Sequence, residues 1–288
     1  MIEIDQLAPG RFVHRRQLRE VLLTPAVQTS ACTFVMGAQW PREHAFYTTD
    51  FTRPDSALVA ETIRQSTILL AHTMYDVPLT AAFLMPAMSG STYPAETPWS
   101  EDQLVVSSTV TRIARGRDAV TALRNEVVIE GAGHVLARGH GDARIVEQAT
   151  YERLRAGRTK RPSAPGRRRV SARSSILSWR ANREATVTVD EFDPVFFDHP
   201  LDHVPGMLLL EAVRQGIREQ FPGWDVDLSS FDLSFRRIAE FDLPLVLDVS
   251  AGPEGADMEF AVRVRQGQVV CVDGSARAVR RDGVTAGS

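Results

Sequence analysis

A gapless internal match at an offset of 150 residues constrains this 288-residue chain more than any other feature. Glu61-Thr62-Ile63-Arg64-Gln65 returns as Glu211-Ala212-Val213-Arg214-Gln215, and the same offset pairs Leu58 with Leu208, Phe46 with Phe196 and Tyr47 with Phe197. Charged, aromatic and apolar residues kept in one register mark a duplicated unit. The length agrees, being generous for one core and ordinary for two. The pattern predicts one repeat over 1–156, a linker over 157–171 and a second repeat over 172–288.

Each copy reads as one helix followed by strands. The first helix is expected after Pro54, with Asp55 or Ser56 as its N-cap, and to about Tyr75; the second runs from Val204-Pro205-Gly206 to about Gln220, before Pro222-Gly223. Val-, Thr- and Ile-rich runs predict strands at 21–27, 32–40, 81–88, 104–113, 119–129 and 134–146, and again at 231–238, 245–250, 258–265 and 268–279. Turn signals such as Gly131-Ala132-Gly133 separate them. Strands, one helix and an antiparallel meander, twice over, give an α+β chain.

Both helices are apolar nearly all round: Leu58, Val59, Ile63, Ile68, Leu69 and Leu70 in one, Met207, Leu208, Leu209, Leu210 and Val213 in the other. A helix of that kind is enclosed by protein, as when a sheet wraps round it. The pairs Glu61–Arg64 and Glu211–Arg214 therefore sit where charge is costly to bury. One such pair could be an ordinary i,i+3 ion pair on a wet face. Its recurrence at the same point of both helices, followed by Gln65 and Gln215, favours groups that line pockets.

The charge is uneven. Lys and Arg number 33 against 36 Asp and Glu, a net charge of −3, yet Arg153 to Arg173 contains nine basic residues and no acidic one. Pro162, Pro165, Gly157 and Gly166 break that strip, which reads as the linker: a solvated connector, with a docking surface for an acidic partner or a phosphate as the alternative. No recognition-helix or aromatic-basic pattern suggests nucleic acid. Cys32 and Cys271 make neither a disulfide framework nor a metal-ligand spacing, and with no signal peptide in view they suggest a reducing cytoplasm. No apolar stretch approaches the ~20 residues of a membrane span, and no nucleotide or metal motif appears, so neither cofactor nor metal is expected.

The approach to the second helix carries the sharpest motif, Phe196-Phe197-Asp198-His199-Pro200-Leu201-Asp202-His203-Val204-Pro205-Gly206. His199 and His203 precede a helix N-terminus whose free amides, at Gly206 and Met207, suit the oxyanion of an attacked thioester carbonyl. A histidine and a buried Glu211 nearby could exchange protons. As a bland alternative, the two histidines only cap a loop.

This segment resembles the active-site approach of hotdog-fold β-hydroxyacyl-carrier-protein dehydratases, in which a histidine before the central helix and an acidic residue on it do the chemistry. The His-to-Glu interval is shorter here, and Thr49 stands where a first-half histidine would fall. A fuller resemblance covers nearly the whole chain. Val13-His14-Arg15, Ala38-Gln39-Trp40-Pro41, His44-Ala45-Phe46-Tyr47, Val59-Ala60-Glu61-Thr62-Ile63-Arg64-Gln65 and Asp198-His199-Pro200-Leu201-Asp202-His203-Val204-Pro205-Gly206-Met207 are similar to the A-factor biosynthesis (AfsA-type) family. Its members are tandem hotdog proteins that make γ-butyrolactone, butenolide or furan signalling molecules in actinomycetes.

The resemblance implies a double hotdog: two antiparallel sheets, each wrapped round a central helix, paired as a pseudo-dimer. It implies transfer of a β-ketoacyl group from an acyl carrier protein to the hydroxyl of dihydroxyacetone phosphate, and a homodimer is compatible with it. On that reading Glu211, with His199, is the base, and a carboxyl in apolar surroundings is expected to hold its proton more tightly. Arg214 is the candidate for the phosphate. Glu61 and Arg64, with Gln65, would serve a second pocket or complete the first across the pseudo-dimer, while Gln215, His203, Gly206 and Met207 would contact substrate. The competing readings are a dehydratase or thioesterase using the same pocket, and a non-catalytic binder of acyl chains or lactones.

Overall fold

The computed structural model of the chain describes residues 6–41, 43–44, 46–47, 53–95, 104–116, 119–158, 175–180, 184–251 and 258–281. Thr49 and most of the expected linker at 157–171 lie outside them.

Strands β1 (Val27–Gln28) and β2 (Thr33–Ala38) precede helix α1 (Ser56–Met74), which is followed by β3 (Ala82–Thr92), β4 (Leu104–Arg115), β5 (Val120–Gly131) and β6 (His134–Val146). A short helix α2 (Gln148–Leu154) closes the first half. The second half contains β7 (Leu177–Trp179), β8 (Glu184–Val187), α3 (Gly206–Arg218), β9 (Val226–Phe235), β10 (Leu245–Ala251), β11 (Glu259–Gln266) and β12 (Val269–Arg280). Of the predicted 21–27 strand only the end forms, while α2, β7 and β8 were not anticipated.

The sheet order is β1-β2-β4-β5-β6-β3-β9-β12-β11-β10-β8-β7. Its second half repeats the first in reverse, as a two-fold between β3 and β9 requires. The two expected sheets are thus one 12-stranded sheet, joined where Met88 pairs with Leu233 and Gly90 with Phe231, antiparallel. Repeat-equivalent residues meet near the axis: Phe46 and Phe196 pack edge to face with ring centres 5.0 Å apart.

Alternation produces the strands. In β11, Phe260, Val262 and Val264 are buried while Ala261 and Arg263 are exposed, the pattern of an antiparallel sheet with one wet face. Ala132 and Gly133 both take positive φ, 50° and 80°, as a two-residue type I′ hairpin between β5 and β6 needs.

Helix α1 starts where Asp55 caps the Ala57 and Leu58 amides at 2.8 and 3.1 Å. It ends with Asp76 at φ 54°, a left-handed residue that reverses the chain so that the Val77 N–H donates back to the Ala71 carbonyl. The sheet encloses it closely enough that a Cβ on Gly139 of β6 would lie 2.7 Å from Ile63 Cδ1. Polar groups buried on its faces are satisfied: Thr62 donates to the Leu58 carbonyl and accepts from the Trp40 indole, and Asn125 reaches Ser66 and Thr67. One hydrophobic cluster runs through both halves, from Leu22, Met36, Leu58 and Ile63 to Leu208, Val213, Leu233 and Val272. The duplicated units therefore share a core.

Candidate active site at the seam

A cavity of about 400 Å³ opens beside the β3–β9 seam. Gly206, Met207 and Leu209 of α3 and the approach residues His199, Leu201, His203, Val204 and Pro205 form one wall. Phe83, Leu84, Met85, Pro86 and Met88 of β3 with Phe235, Ile238 and Ala239 form the apolar remainder, and His14, Arg15, Arg64 and Ile68 enter from the first half. Larger hollows of about 580 and 520 Å³ lie over the strands, and neither is lined by histidine.

His199 Nδ1 lies 2.5 Å from Asp198 Oδ1 and donates to it. The Asp198 side chain is fully buried, and its other oxygen accepts the Arg16 amide at 2.7 Å. Burial alone would raise the Asp198 carboxyl; the His199 hydrogen bond, the Arg15 charge and that amide outweigh it and hold the group below its ordinary value. With Nδ1 committed, His199 Nε2 is the nitrogen left to take a proton, and the ring is partly exposed within the cavity lining.

The N-terminus of α3 follows. Pro205 stands at the N-cap and makes no side-chain cap, and the first amides with protein acceptors are those of Leu208 and Leu209, both to the Pro205 carbonyl. The Gly206 and Met207 amides are thus available to a ligand. His203 is fixed differently: its Nδ1 donates to Asp202 at 2.6 Å, while Tyr151 and Arg155 of the α2 segment bind the same carboxylate. Arg155 also bridges to Glu240, so this member of the basic strip braces the approach loop.

From the first half, Glu61 is buried among donors. Its Oε1 accepts from Arg15 Nε at 2.9 Å, Arg64 Nη2 at 2.8 Å and Gln65 Nε2 at 2.7 Å, and its Oε2 from Arg64 Nε at 2.9 Å. Burial pushes its carboxyl up, but Arg15 and Arg64 prevail and hold it at about 2. Glu61 is therefore charged although its helix is apolar: Arg64 is visible in the sequence as its i,i+3 partner, whereas Arg15 arrives from a distant segment. Glu61 is an anchor for Arg15 and Arg64, and Gln65 ties it to the Glu20 and Leu22 backbone. His14, beside Phe83 and His72, is driven down to about 3 by burial and by the charge of Arg64, so it is neutral.

The sequence reading grouped Glu211 and Arg214 with His199; the geometry separates them. Neither they nor Gln215 line the cavity. Arg214, 1% exposed, gives Nη1 to Glu211, Nη2 to Asp55 and Asp227, and Nε to Asp227. Gln215 donates to Glu211 and accepts the Ile176 amide. Every nitrogen of Arg214 is occupied, which removes it as a phosphate holder. From the first half Arg15 and Arg64 line the cavity that His199 lines, with Glu61 bonded to both guanidiniums. Asp198, His14 and Arg15 were missed as site residues, although Val13-His14-Arg15 stood among the runs that carried the resemblance. Among the described residues no group of three or more His, Cys, Asp or Glu could hold a metal ion, and no helix is long and apolar enough to cross a membrane.

Two helices backed by one continuous antiparallel sheet, with a cavity built from both halves at the seam, define a double hotdog protein. Solved structures agree at the level of fold: the 12:0-ACP thioesterase of Umbellularia californica superimposes with a TM-score of 0.52 at 10% identity, covering 88% of this chain and 100% of that one. An acyl-ACP thioesterase of Bacteroides thetaiotaomicron gives 0.51 at 10% identity, covering 86% and 97%. Over residues 3–147 and 168–280 the chain matches the A-factor biosynthesis hotdog domain, and it belongs to that family. It is 33% identical over 277 residues to the 2-oxo-3-(phosphooxy)propyl 3-oxoalkanoate synthase of Streptomyces virginiae, covering 89% of this chain and 91% of the relative. To the protein of the same name from Streptomyces coelicolor it is 29% identical over 285 residues, covering 91% and 88%.

Proposed function

We propose that this chain is an acyltransferase that moves a 3-oxoacyl group from an acyl carrier protein thioester to the hydroxyl of dihydroxyacetone phosphate, the ester product being that named for its relatives. The observation that carries this reading is the Asp198–His199 pair sharing one largely apolar cavity with the open N-terminus of α3.

His199 Nε2 accepts the proton of the attacking hydroxyl while Asp198 holds the ring and stabilises the imidazolium. The hydroxyl oxygen bonds to the thioester carbon, and the carbonyl oxygen becomes an oxyanion facing the α3 amides. Collapse re-forms the carbonyl and breaks the C–S bond, and the departing thiolate takes the proton back from His199. The acyl chain lies against Phe83, Met85, Ile238 and Leu209. Arg144 and Arg237, exposed at the rim and without a carboxylate partner among the described residues, hold the phosphate.

Carrier-thiol release is the test, with purified protein, 3-oxoacyl carrier protein and the triose phosphate. Release that requires the triose phosphate, with the phosphorylated ester detected by mass spectrometry, supports the transfer. Equal release in water alone would make the protein a thioesterase and reject it.

A further inference from the structure

The two halves bind an anion differently, and the difference assigns a role to Arg64. In the second half's cluster the carboxylate of Asp227 is lodged between the N-terminus of one helix and the arginine of the other. Its Oδ2 accepts the Ser56 amide at 3.1 Å, and its Oδ1 accepts the Ser56 hydroxyl at 2.8 Å and Arg214 at 3.2 Å. Arg281 adds a bond of 2.7 Å to Oδ2. Burial would raise this carboxyl, and Arg214, Arg218 and Arg281 overcome it, so it is an anion held well below the usual range.

At the 150-residue offset Ser56 corresponds to Gly206 and Arg214 to Arg64. Both Gly206 and Arg64 line the seam cavity. β9 carries Asp227 near its start; its counterpart in the sheet order, β3, carries Phe83 near its start, and among the described residues no Asp or Glu lines the seam cavity. The arginines differ in step with this. Arg214 has all three nitrogens bonded, whereas Arg64 commits Nε and Nη2 to Glu61 and the Val13 carbonyl and leaves Nη1 without an acceptor among the described residues. Its side chain is 16% exposed against 1% for Arg214.

We infer that Arg64 is a catalytic residue: its Nη1 and the Gly206 amide together bind the thioester oxygen as it becomes an oxyanion, in the place that the Asp227 carboxylate takes in the other half. This rests on acyl transfer in the seam cavity. The nucleophile's electron pair enters the carbonyl carbon, the π pair moves to oxygen, and the new charge meets a guanidinium already fixed by Glu61. Because Asp227 fills its own seat, the chain has one working site.

The test is steady-state kinetics of Arg64→Gln and Arg64→Lys on the full chain. Arg64→Lys keeps a cation against Glu61 but withdraws Nη1, so it separates catalysis from folding, which circular dichroism checks. Loss of one oxyanion donor should lower kcat about 100-fold in both, with the KM for the triose phosphate within about twofold. Cleavage of the same thioester by hydroxylamine should fall by the same factor, since the oxyanion forms with any nucleophile. A raised KM for the triose phosphate with kcat intact would make Arg64 a phosphate ligand and overturn the assignment, as would near-normal turnover by both variants. If the wild type only hydrolyses its thioester, the transfer reading fails while the effect of Arg64 on that hydrolysis still decides this one.

Discussion

Glu61→Gln separates an anchoring carboxylate from a catalytic base. The substitution keeps the shape and one oxygen for Gln65 while deleting the charge that faces Arg15 and Arg64. The Glu61 carboxyl is held at about 2 against an ordinary 4.5, so its protonation in the folded state is opposed over that interval. At ~1.4 kcal/mol per unit this gives about 3 kcal/mol, in line with the ~3–5 kcal/mol lost when one partner of a buried pair is removed. The folded value lies below the unfolded one, so this stability is fully present above pH 4.5 and is lost as the pH falls toward 2. About 2 kcal/mol of it should be gone by pH 3.

Urea unfolding at neutral pH and at stepwise lower pH measures this directly. The difference between wild type and variant cancels the other buried carboxylates, Asp198 and Asp227 among them, which are lost in both. The variant should be less stable by about 3 kcal/mol at pH 7, with the gap narrowing as acid protonates Glu61 in the wild type. Equal stability at pH 7, or a gap that does not change with pH, would refute the reasoning. So would a fully stable Glu61→Gln with no turnover, the behaviour of a base.

Asp198→Asn should leave the fold intact but lower kcat about 100- to 10,000-fold, because the amide cannot hold the His199 tautomer or its charge; an unchanged kcat would remove the pair from the mechanism. Gly139→Ala puts a Cβ 2.2 Å from the Ser89 carbonyl oxygen, which is backbone, and 2.7 Å from Ile63 Cδ1. It should cost about 1–3 kcal/mol, read as a lower melting temperature by calorimetry. Phe83→Leu enlarges the apolar wall, and kcat/KM for a chain one methylene longer should rise about fourfold relative to the original, the worth of one buried CH₂.

The duplication, both long helices and most of the meander could be read from the sequence because each leaves a local or periodic trace. The 150-residue register needs no structure, and Asp55 declares itself as an N-cap. What could not be read is which half faces which. Glu61 and Glu211 occupy equivalent places in the repeat, yet only the arginines bonded to Glu61 line the cavity, Arg64 from its own helix and Arg15 from a segment far away in the chain. The two-fold sets the N-terminus of α3 against the middle of α1, so the site is composite and no single stretch contains it. Helix α2 escaped notice because its seven residues bury no apolar face; it is held at its end by Arg155, through Asp202 and Glu240.

A duplicated chain can do with its second site what a symmetric dimer cannot. In a homodimer, a carboxylate at the Asp227 position would fill both seats and end catalysis; in one chain it fills only one. The seat it fills then becomes a brace. Arg214 on α3 holds Asp55, the residue that caps α1, and Asp227 holds the Ser56 amide and hydroxyl in the first turn of the same helix. Three guanidiniums, Arg214, Arg218 and Arg281, face three carboxylates, Asp55, Glu211 and Asp227. Arg281 Nε is left without a partner, but the carboxylates are each met by a guanidinium, as burial requires, and the network pins the start of α1. Arg64 stands two turns further along that helix, with its free nitrogen at the open seat. The cluster of the second half thereby fixes the helix that carries Arg64, which gives Glu211 and Arg214 a structural use although neither lines the cavity.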